Sequence, residues 1–95
     1  MTITQMKYFI SVVRHKSISK AAKENFVSVT AISLLLTELE NNHKIKFFKK
    51  EGNTFLLTDD GKVVYEKLLK IIGEYNEFEN TITHLQTKKH TINIG

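Results

Sequence analysis

The side chains with catalytic or metal-binding chemistry are one adjacent pair of aspartates and four histidines, His15, His43, His84 and His90. No two of these histidines stand four residues apart, and the chain has no cysteine, so the sequence carries no helical or cysteine-based metal motif. Asp59 and Asp60 stand at an expected helix start, where the helix dipole stabilises carboxylates, so their presence needs no catalytic explanation. There is no glycine-rich phosphate loop and no nucleophile motif. We therefore predict no enzyme, and no metal or cofactor site in these residues.

The basic side chains are concentrated in the first half of the chain. Residues 1–50 hold nine Lys or Arg against three Glu, giving +6, whereas residues 51–95 hold five against seven acidic residues, giving −2. Most of the lysines in the first half fall into two groups, namely Lys20 with Lys23, and Lys44, Lys46, Lys49 and Lys50. Clustered lysines can neutralise phosphates. This pattern indicates a polyanion-binding surface, although a merely solvated basic face would give the same charge.

Length and composition bound the class of protein. A chain of 95 residues with 41% hydrophobic and 25% charged residues is sufficient for one small globular domain with its own core. It has no disulfide framework, no apolar run long enough to cross a bilayer and no signal-peptide pattern. We therefore expect a soluble, cytoplasmic domain without a membrane partner.

The elements that position the lysines begin with two helices. A capping box at Thr2 predicts a first helix over residues 3–15. Ser17 or Ser19 can cap a short second helix that ends near Asn25. Asn25 is suited to a C-terminal cap because asparagine tolerates left-handed backbone geometry.

A third helix and a basic hairpin follow. Ser28 caps a helix to about Asn42, and two helices joined by a short turn form a helix-turn-helix, whose second helix lies in the DNA major groove. Residues 44–50 and 53–57 are β-compatible runs on either side of a glycine turn, so they predict a basic hairpin, or wing. The predicted fold class is mainly α, a winged helix-turn-helix of three helices and a two-stranded wing, with a long C-terminal helix.

The long last helix, capped by Thr58, carries a heptad pattern of apolar residues. Its members are Val64, Leu68, Ile71, Tyr75, Phe78, Ile82 and Leu85. A seam held over three heptads is typical of helix pairing between chains, so we predict a homodimer interface along it. The first three members could instead pack within the monomer, and that alternative stays open.

Several linked motifs resemble one family. They are Met6-Lys-Tyr-Phe9, Ser17-Ile-Ser-Lys-Ala-Ala22, Phe26-Val-Ser28, Ala31-Ile-Ser33, Leu39-Glu40, Phe48-Lys-Lys50, Leu57-Thr58 and Gly61. In this order they resemble the N-terminal domain of LysR-type transcriptional regulators, over nearly the whole chain. The resemblance implies a bacterial regulator that binds double-stranded DNA as a homodimer and is nucleoid-associated when bound.

The resemblance also implies a division of the chain into three parts. Residues 1–58 would form the winged helix-turn-helix, residues 59–87 the linker and dimerisation helix, and residues 88–95 a hinge. The final residues Thr91–Gly95 are similar to the first strand of the family's effector-binding domain. A small-molecule effector is therefore expected for a C-terminal domain that lies outside these residues.

The third helix has an unusual outward face. At about 100° per residue, Ile32, Leu36 and Leu39 share the core side, whereas Leu34 points away from it. The outward face is predicted to contact DNA through Ser28, Val29, Thr30, Ser33, Leu34 and Thr37. No Lys or Arg occurs between Glu24 and His43, so bidentate reading of guanine by arginine is unavailable there.

Two hypotheses follow for this face. Leu34 or Val29 could contact thymine methyl groups and favour A·T-rich sites. Alternatively, Leu34 is an exposed leucine of no consequence, which is common on protein surfaces.

Contacts to the DNA backbone are predicted elsewhere. Lys20, Lys49 and Lys50 would neutralise phosphates, and Asn53 and Thr54 at the wing tip would reach the minor groove or a sugar. Lys50 stands where the family usually has Arg, and it lacks the planar fork of a guanidinium. The function predicted is a sequence-specific transcription regulator of the LysR type. The alternative is a dimerisation or interaction module with weakened DNA binding.

Overall fold

The computed structural model describes the backbone of residues 1–94 and the side chains of residues 1–89. The elements run α1 (Ile3–His15), α2 (Ile18–Glu24), α3 (Val29–His43), β1 (Phe48–Glu51), β2 (Thr54–Leu57) and α4 (Asp59–Ile94). The two strands form one antiparallel sheet. The mainly helical winged helix-turn-helix predicted from the sequence is confirmed.

The helix starts lie where the capping residues predict them. The Thr2 hydroxyl accepts a hydrogen bond from the Gln5 amide, and the Gln5 side chain accepts one from the Thr2 amide. Ser28 caps α3 by accepting from the Ala31 amide at 3.0 Å. Ser17, and not Ser19, caps α2. Each cap satisfies a backbone N–H that has no partner inside the helix.

The end of α2 differs from the prediction in one respect. Asn25 is the C-cap, but its φ of −96° is not left-handed, and the left-handed residue is Phe26 with φ of 56°. The Val27 amide donates to the Ala22 carbonyl and the Phe26 amide to the Lys23 carbonyl, which is a Schellman arrangement. The Asn25 side chain donates instead to the Ser11 hydroxyl and the Ala21 carbonyl. Asn25 therefore ties α2 to α1.

The core lies around α1, which packs against α2, α3 and α4. Its buried hydrophobic residues are Phe9, Val12, Ala21, Ala22, Ile32, Leu36, Leu39, Phe47 and Leu68. The small side chains of Ala21 and Ala22 let α2 pack closely against its neighbours. Phe9 contacts Phe47 edge-on, with 5.6 Å between ring centroids. The first helix is thereby joined to the segment that leads into the wing.

A polar cluster joins α1 to the end of α2. The Glu24 carboxylate accepts hydrogen bonds from the Ser11 hydroxyl at 2.6 Å and from Arg14, and it contacts the His15 Nε2 at 2.6 Å. These bonds, the one from Ser11 first, lower the pKa of Glu24 from its ordinary 4.5 to about 2. Because the folded state favours the ionised carboxylate, the cluster stabilises the fold above the unfolded pKa, and this contribution is lost as the pH falls through the folded pKa.

Hydrogen bonds to the backbone at the start of the wing hold it in place and shorten its first strand. Glu40 of α3 accepts from the Phe47 amide at 2.8 Å and the Phe48 amide at 3.2 Å. The Phe47 carbonyl accepts from the Thr58 amide at 3.0 Å. Both backbone groups of Phe47 are occupied by these bonds, and Lys44, with φ of 55°, is the left-handed C-cap of α3. The strand predicted over 44–50 therefore begins only at Phe48.

Gly61 is required where α4 passes this segment. A β-carbon at Gly61 would lie 2.1 Å from the Phe47 carbonyl oxygen and 2.9 Å from the Leu57 side chain. Gly73, in the same helix, has no atom within 4 Å of the corresponding position. A close approach of another backbone segment therefore explains Gly61 but not Gly73.

The helix end predicted near residue 87 is wrong, because α4 continues to Ile94 over 36 residues. Residues 91–94, predicted as a strand, are helical, and Gly95 lies outside the described residues. A lone strand would leave its backbone groups unpaired, whereas extending an existing helix adds one hydrogen bond per residue.

We expect Glu24→Gln to lower the free energy of unfolding at neutral pH and to change it progressively less as the pH falls from about 5 towards 2. The reason is that acid removes the same charge from the wild-type carboxylate. Urea titrations of both proteins at several pH values would measure this. An equal difference between the two proteins at pH 7 and at pH 2.5 would contradict it.

We expect Gly61→Ala to lower the free energy of unfolding by about 3 kcal/mol, since the added methyl must displace backbone. Gly73→Ala is the matched control, and we expect it to raise stability by about 1 kcal/mol through helix propensity. Urea denaturation at one fixed protein concentration measures both. Equal effects of the two substitutions would show that Gly61 has no special packing role.

Candidate nucleic-acid interface

The outward face of α3 is exposed as the helical periodicity predicts. Ile32 and Leu39 are buried against the core, whereas the Leu34 side chain is 56% exposed and Val29 is 49% exposed. Leu35 lies at the border and packs partly against the core. The helix therefore presents one side to solvent, and this side carries the residues predicted to contact DNA.

The hydroxyl groups of α3 are not equally available. Ser28 uses its oxygen to cap the helix, and the Thr37 hydroxyl donates its hydrogen to the Ser33 carbonyl at 2.9 Å. Within the part of the chain whose side chains are described, the hydroxyls of Thr30 and Ser33 have no hydrogen-bond partner. These two are the hydroxyls that can still both donate and accept towards a ligand.

A groove joins α3 to the wing. It has a volume of about 210 Å³, and its polar lining includes Ser33 and Thr37 of α3 and Lys50 of β1. Phe55 of β2 forms part of its floor, and the Lys50 Nζ lies 5.9 Å from the centre of that ring. A cation over an aromatic face is held by the ring quadrupole. The structure thus brings together two hydroxyl residues and one lysine of the predicted set.

Lys49 does not line this groove. Successive side chains of a strand point to opposite faces. Lys49 accordingly lines a separate hollow with Lys16 and Lys62, above the apolar side chains of Val13 and Leu56. Lys49 and Lys50 therefore line different hollows of the wing, and the phosphate contacts predicted for them stay predictions.

The remaining predicted contacts lie around this surface. Lys20 is exposed on α2, and Asn53 is exposed beside the wing turn at Gly52, whose φ is 60°. Thr54 is half-buried and pairs with Glu51 at the end of the ladder. Their contact with DNA stays a prediction.

Two positioning residues were not predicted. Glu40 ties α3 to the wing through two backbone amides, and Phe55 lies directly across the ladder from Lys50. Phe55 is the cross-strand partner of Lys50, so it could be placed only once the register of the hairpin was known. Sequence offered no comparable signal for Glu40, because its partners are main-chain groups.

The predicted seam on α4 divides into two parts. Leu68 is only 4% exposed and belongs to the monomer core, so its assignment to a dimer interface is wrong. Its helical turn packs on α1, which covers it within one chain. Val64 also packs partly against the core, whereas Ile71 is 42% exposed. The intramolecular alternative therefore holds for Val64 and Leu68 but not for Ile71.

Towards the C-terminal end of α4 the apolar side chains of the seam are exposed to solvent. Phe78 is 58% exposed and Leu85 is 46% exposed, and Ile82 is partly exposed between them. Tyr75 is partly covered, with the Lys7 Nζ 5.5 Å from its ring centre. A hydrogen bond to Glu79 raises the pKa of Tyr75.

The described residues lack two other kinds of feature. No group of three or more His, Asp or Glu side chains there could hold a metal ion. No helix there is long and apolar enough to span a membrane.

The fold and the exposed face of α3 define a winged helix-turn-helix domain. The profile of the family described as "Bacterial regulatory helix-turn-helix protein, lysR family" matches residues 3–62. The chain therefore belongs to the lysR family. This family and the matching relatives are regulators of transcription and not enzymes, in agreement with the prediction.

Curated relatives are consistent with this assignment. The chain is 32% identical over 93 residues to the glycine cleavage system transcriptional activator homolog of Haemophilus influenzae, covering 98% of this chain and 31% of the relative. It is 28% identical over 86 residues to the RuBisCO operon transcriptional regulator of Allochromatium vinosum, covering 90% and 28%. The chain thus spans less than a third of the length of these relatives.

Solved structures share the fold. The DNA-binding domain of CbnR in its DNA complex matches with a TM-score of 0.78 and 25% identity, over 84% of this chain and 92% of that chain. The BenM DNA-binding domain with catB site 1 DNA matches with a TM-score of 0.84 and 20% identity, over 90% and 96%. At that identity the second likeness supports the fold alone.

We expect Lys50→Ala to weaken DNA binding more than Lys49→Ala, because only Lys50 lies in the groove beside α3. Loss of one phosphate contact should lower the slope of log affinity against log salt by about one unit. Fluorescence anisotropy with one duplex at several salt concentrations measures this slope. A larger effect of Lys49→Ala would place the DNA on the other side of the wing.

Proposed function

We propose that this chain is the DNA-binding and dimerisation part of a LysR-type transcription regulator, and that it binds double-stranded DNA as a homodimer. The observation that carries the proposal is the exposed face of α3, which opens into a groove shared with Lys50 of the wing. A helix of this kind enters the major groove while the flanking elements contact the backbone. Family membership and the likeness to the CbnR DNA complex support it.

Affinity and specificity come from different elements in this proposal. The exposed lysines of α2 and of the wing, Lys20 and Lys50 above all, would neutralise phosphates. Such contacts fix the orientation of the protein but carry no sequence information. The bases would be read by the part of the outward α3 face from Val29 to Thr37, which carries no charged side chain. The affinity should therefore depend strongly on salt.

The homodimer is proposed to form through the far half of α4. A 36-residue helix is about 54 Å long, and the winged domain covers only its first turns. The remaining seam exposes Phe78, Ile82 and Leu85. Packing against the α4 helix of a second chain would remove these apolar side chains from water. We accordingly propose that residues 1–58 form the DNA-binding domain and that α4, from Asp59, serves as the linker and dimerisation helix.

The rest of the regulator is inferred from the relatives. Because the chain spans less than a third of their length, we propose that the regulator has a further domain beyond α4 that binds a small-molecule effector. The cytoplasm is the proposed site of action.

A single charge in the seam tests the dimer. We expect Phe78→Glu to convert the protein to a monomer in sedimentation equilibrium, since a carboxylate would be buried without a partner. Affinity for a duplex with two half-sites should fall at least about tenfold, while binding to one half-site is retained. Val63→Glu is the control, since Val63 is 61% exposed and lies outside the seam.

The same experiment separates the two functions. A wild-type dimer that binds no duplex in a salt-dependent manner would favour the interaction module. A monomeric wild-type protein would overturn the proposed role of α4.

A further inference from the structure

We propose that Leu34 is a base-reading residue that contacts the C5-methyl group of thymine, so that α3 selects A·T pairs within each half-site. The inference rests on the proposed DNA-binding function and identifies the bases that the exposed face of α3 would read. Leu34 would be a specificity-determining residue, and the ligand chemistry is the apolar methyl edge that thymine presents in the major groove.

The composition of the reading part of α3 restricts its chemistry. A recognition helix contacts bases mainly with its N-terminal residues. From Val29 to Thr37 the helix contains only aliphatic and hydroxyl side chains. The bidentate contacts of Arg or Lys to guanine and of Asn or Gln to adenine are therefore impossible there, as is a carboxylate contact to cytosine. Hydroxyl contacts, which suit several bases, and apolar contacts remain.

The hydroxyl groups discriminate weakly. Thr30 and Ser33 can each donate or accept, and Thr37 has already given its hydrogen to the Ser33 carbonyl. A hydroxyl that can donate or accept matches either kind of base edge. Strong discrimination must then come from an apolar group or from the shape of the DNA.

Leu34 is the apolar group in the required place. It is 56% exposed and lies on the outward face with Thr30 one turn before it and Thr37 one turn after it. Val29, which is 49% exposed, stands at the first position of the helix, about 140° around the helix axis from Leu34. Of the four bases only thymine offers a methyl group in the major groove. Contact between Leu34 and thymine would therefore remove the leucine side chain and the methyl group from water together.

The test begins with a duplex selected by the wild-type protein from a random pool. In that duplex single thymines are replaced by uracil, which removes the methyl group and keeps the hydrogen-bonding edge. We expect replacement at one or two positions per half-site to weaken binding about fourfold, since one buried methyl-sized group contributes about 0.8 kcal/mol. The affinities are measured by fluorescence anisotropy at fixed salt.

The Leu34→Ala protein should bind the thymine and uracil duplexes equally at those positions. Leu69→Ala is the matched control, because Leu69 is 45% exposed on α4 and it should retain the full thymine preference. In a second arm, 5-methylcytosine replaces cytosine in a G·C pair at the same position. The added methyl should recover part of the affinity for wild type and none for Leu34→Ala.

The outcomes distinguish the inference from the function on which it rests. If wild type binds the uracil and thymine duplexes equally, Leu34 reads no methyl group, although DNA binding stands. If Leu34→Ala keeps the thymine preference, another residue or the DNA shape is responsible and the assignment to Leu34 is overturned. If no duplex is enriched from the pool, the proposed DNA-binding function itself fails.

Discussion

The backbone of Phe47 is the point at which the parts of this molecule are joined. Its amide donates to Glu40 of α3, its carbonyl accepts from the Thr58 amide, and Gly61 of α4 passes so closely that a β-carbon would clash. Its ring is buried against Phe9 of α1. These contacts of Phe47 come from different parts of the fold. Because they share one residue, a shift of α3, of the wing or of α4 would disturb the other two. The groove beside α3 depends on this junction.

The junction also links the proposed DNA-binding surface to α4, the proposed dimerisation helix. Within the described residues, α4 begins at Asp59, immediately after the wing strand that ends at Leu57, with only the capping Thr58 between them. The direction of α4 is therefore set by the same contacts that orient the wing. In a homodimer paired through the far half of α4, the separation of the two α3 helices would follow from the length and direction of this one rigid element. A connection without a flexible linker suits half-sites of fixed spacing.

Sequence predicted what local chemistry determines. The hydroxyl caps Thr2 and Ser28 marked helix starts because each satisfies a neighbouring amide. Periodicity placed Leu34 outside because a helix has a fixed rotation per residue. The errors concern contacts between distant segments. Leu68 belongs to the core because its helix packs on α1, and β1 is shorter than predicted because the amide of Phe47, just before it, donates to Glu40. Whether Lys49 or Lys50 faces α3 depends on the strand register, which the sequence pattern left open.

The composition of α3 implies a particular balance between affinity and specificity. Lysines on α2 and the wing supply a charge attraction that is the same for every sequence. The face of α3 from Val29 to Thr37 adds no charge, so its contribution to binding is small unless its apolar and hydroxyl groups fit the base edges. A charged recognition helix would strengthen binding to all DNA, because arginine and lysine also contact phosphates. A reading segment without Arg or Lys leaves non-specific affinity to the flanking lysines, and the difference between correct and incorrect sites would then depend on DNA shape and on the proposed desolvation of Leu34.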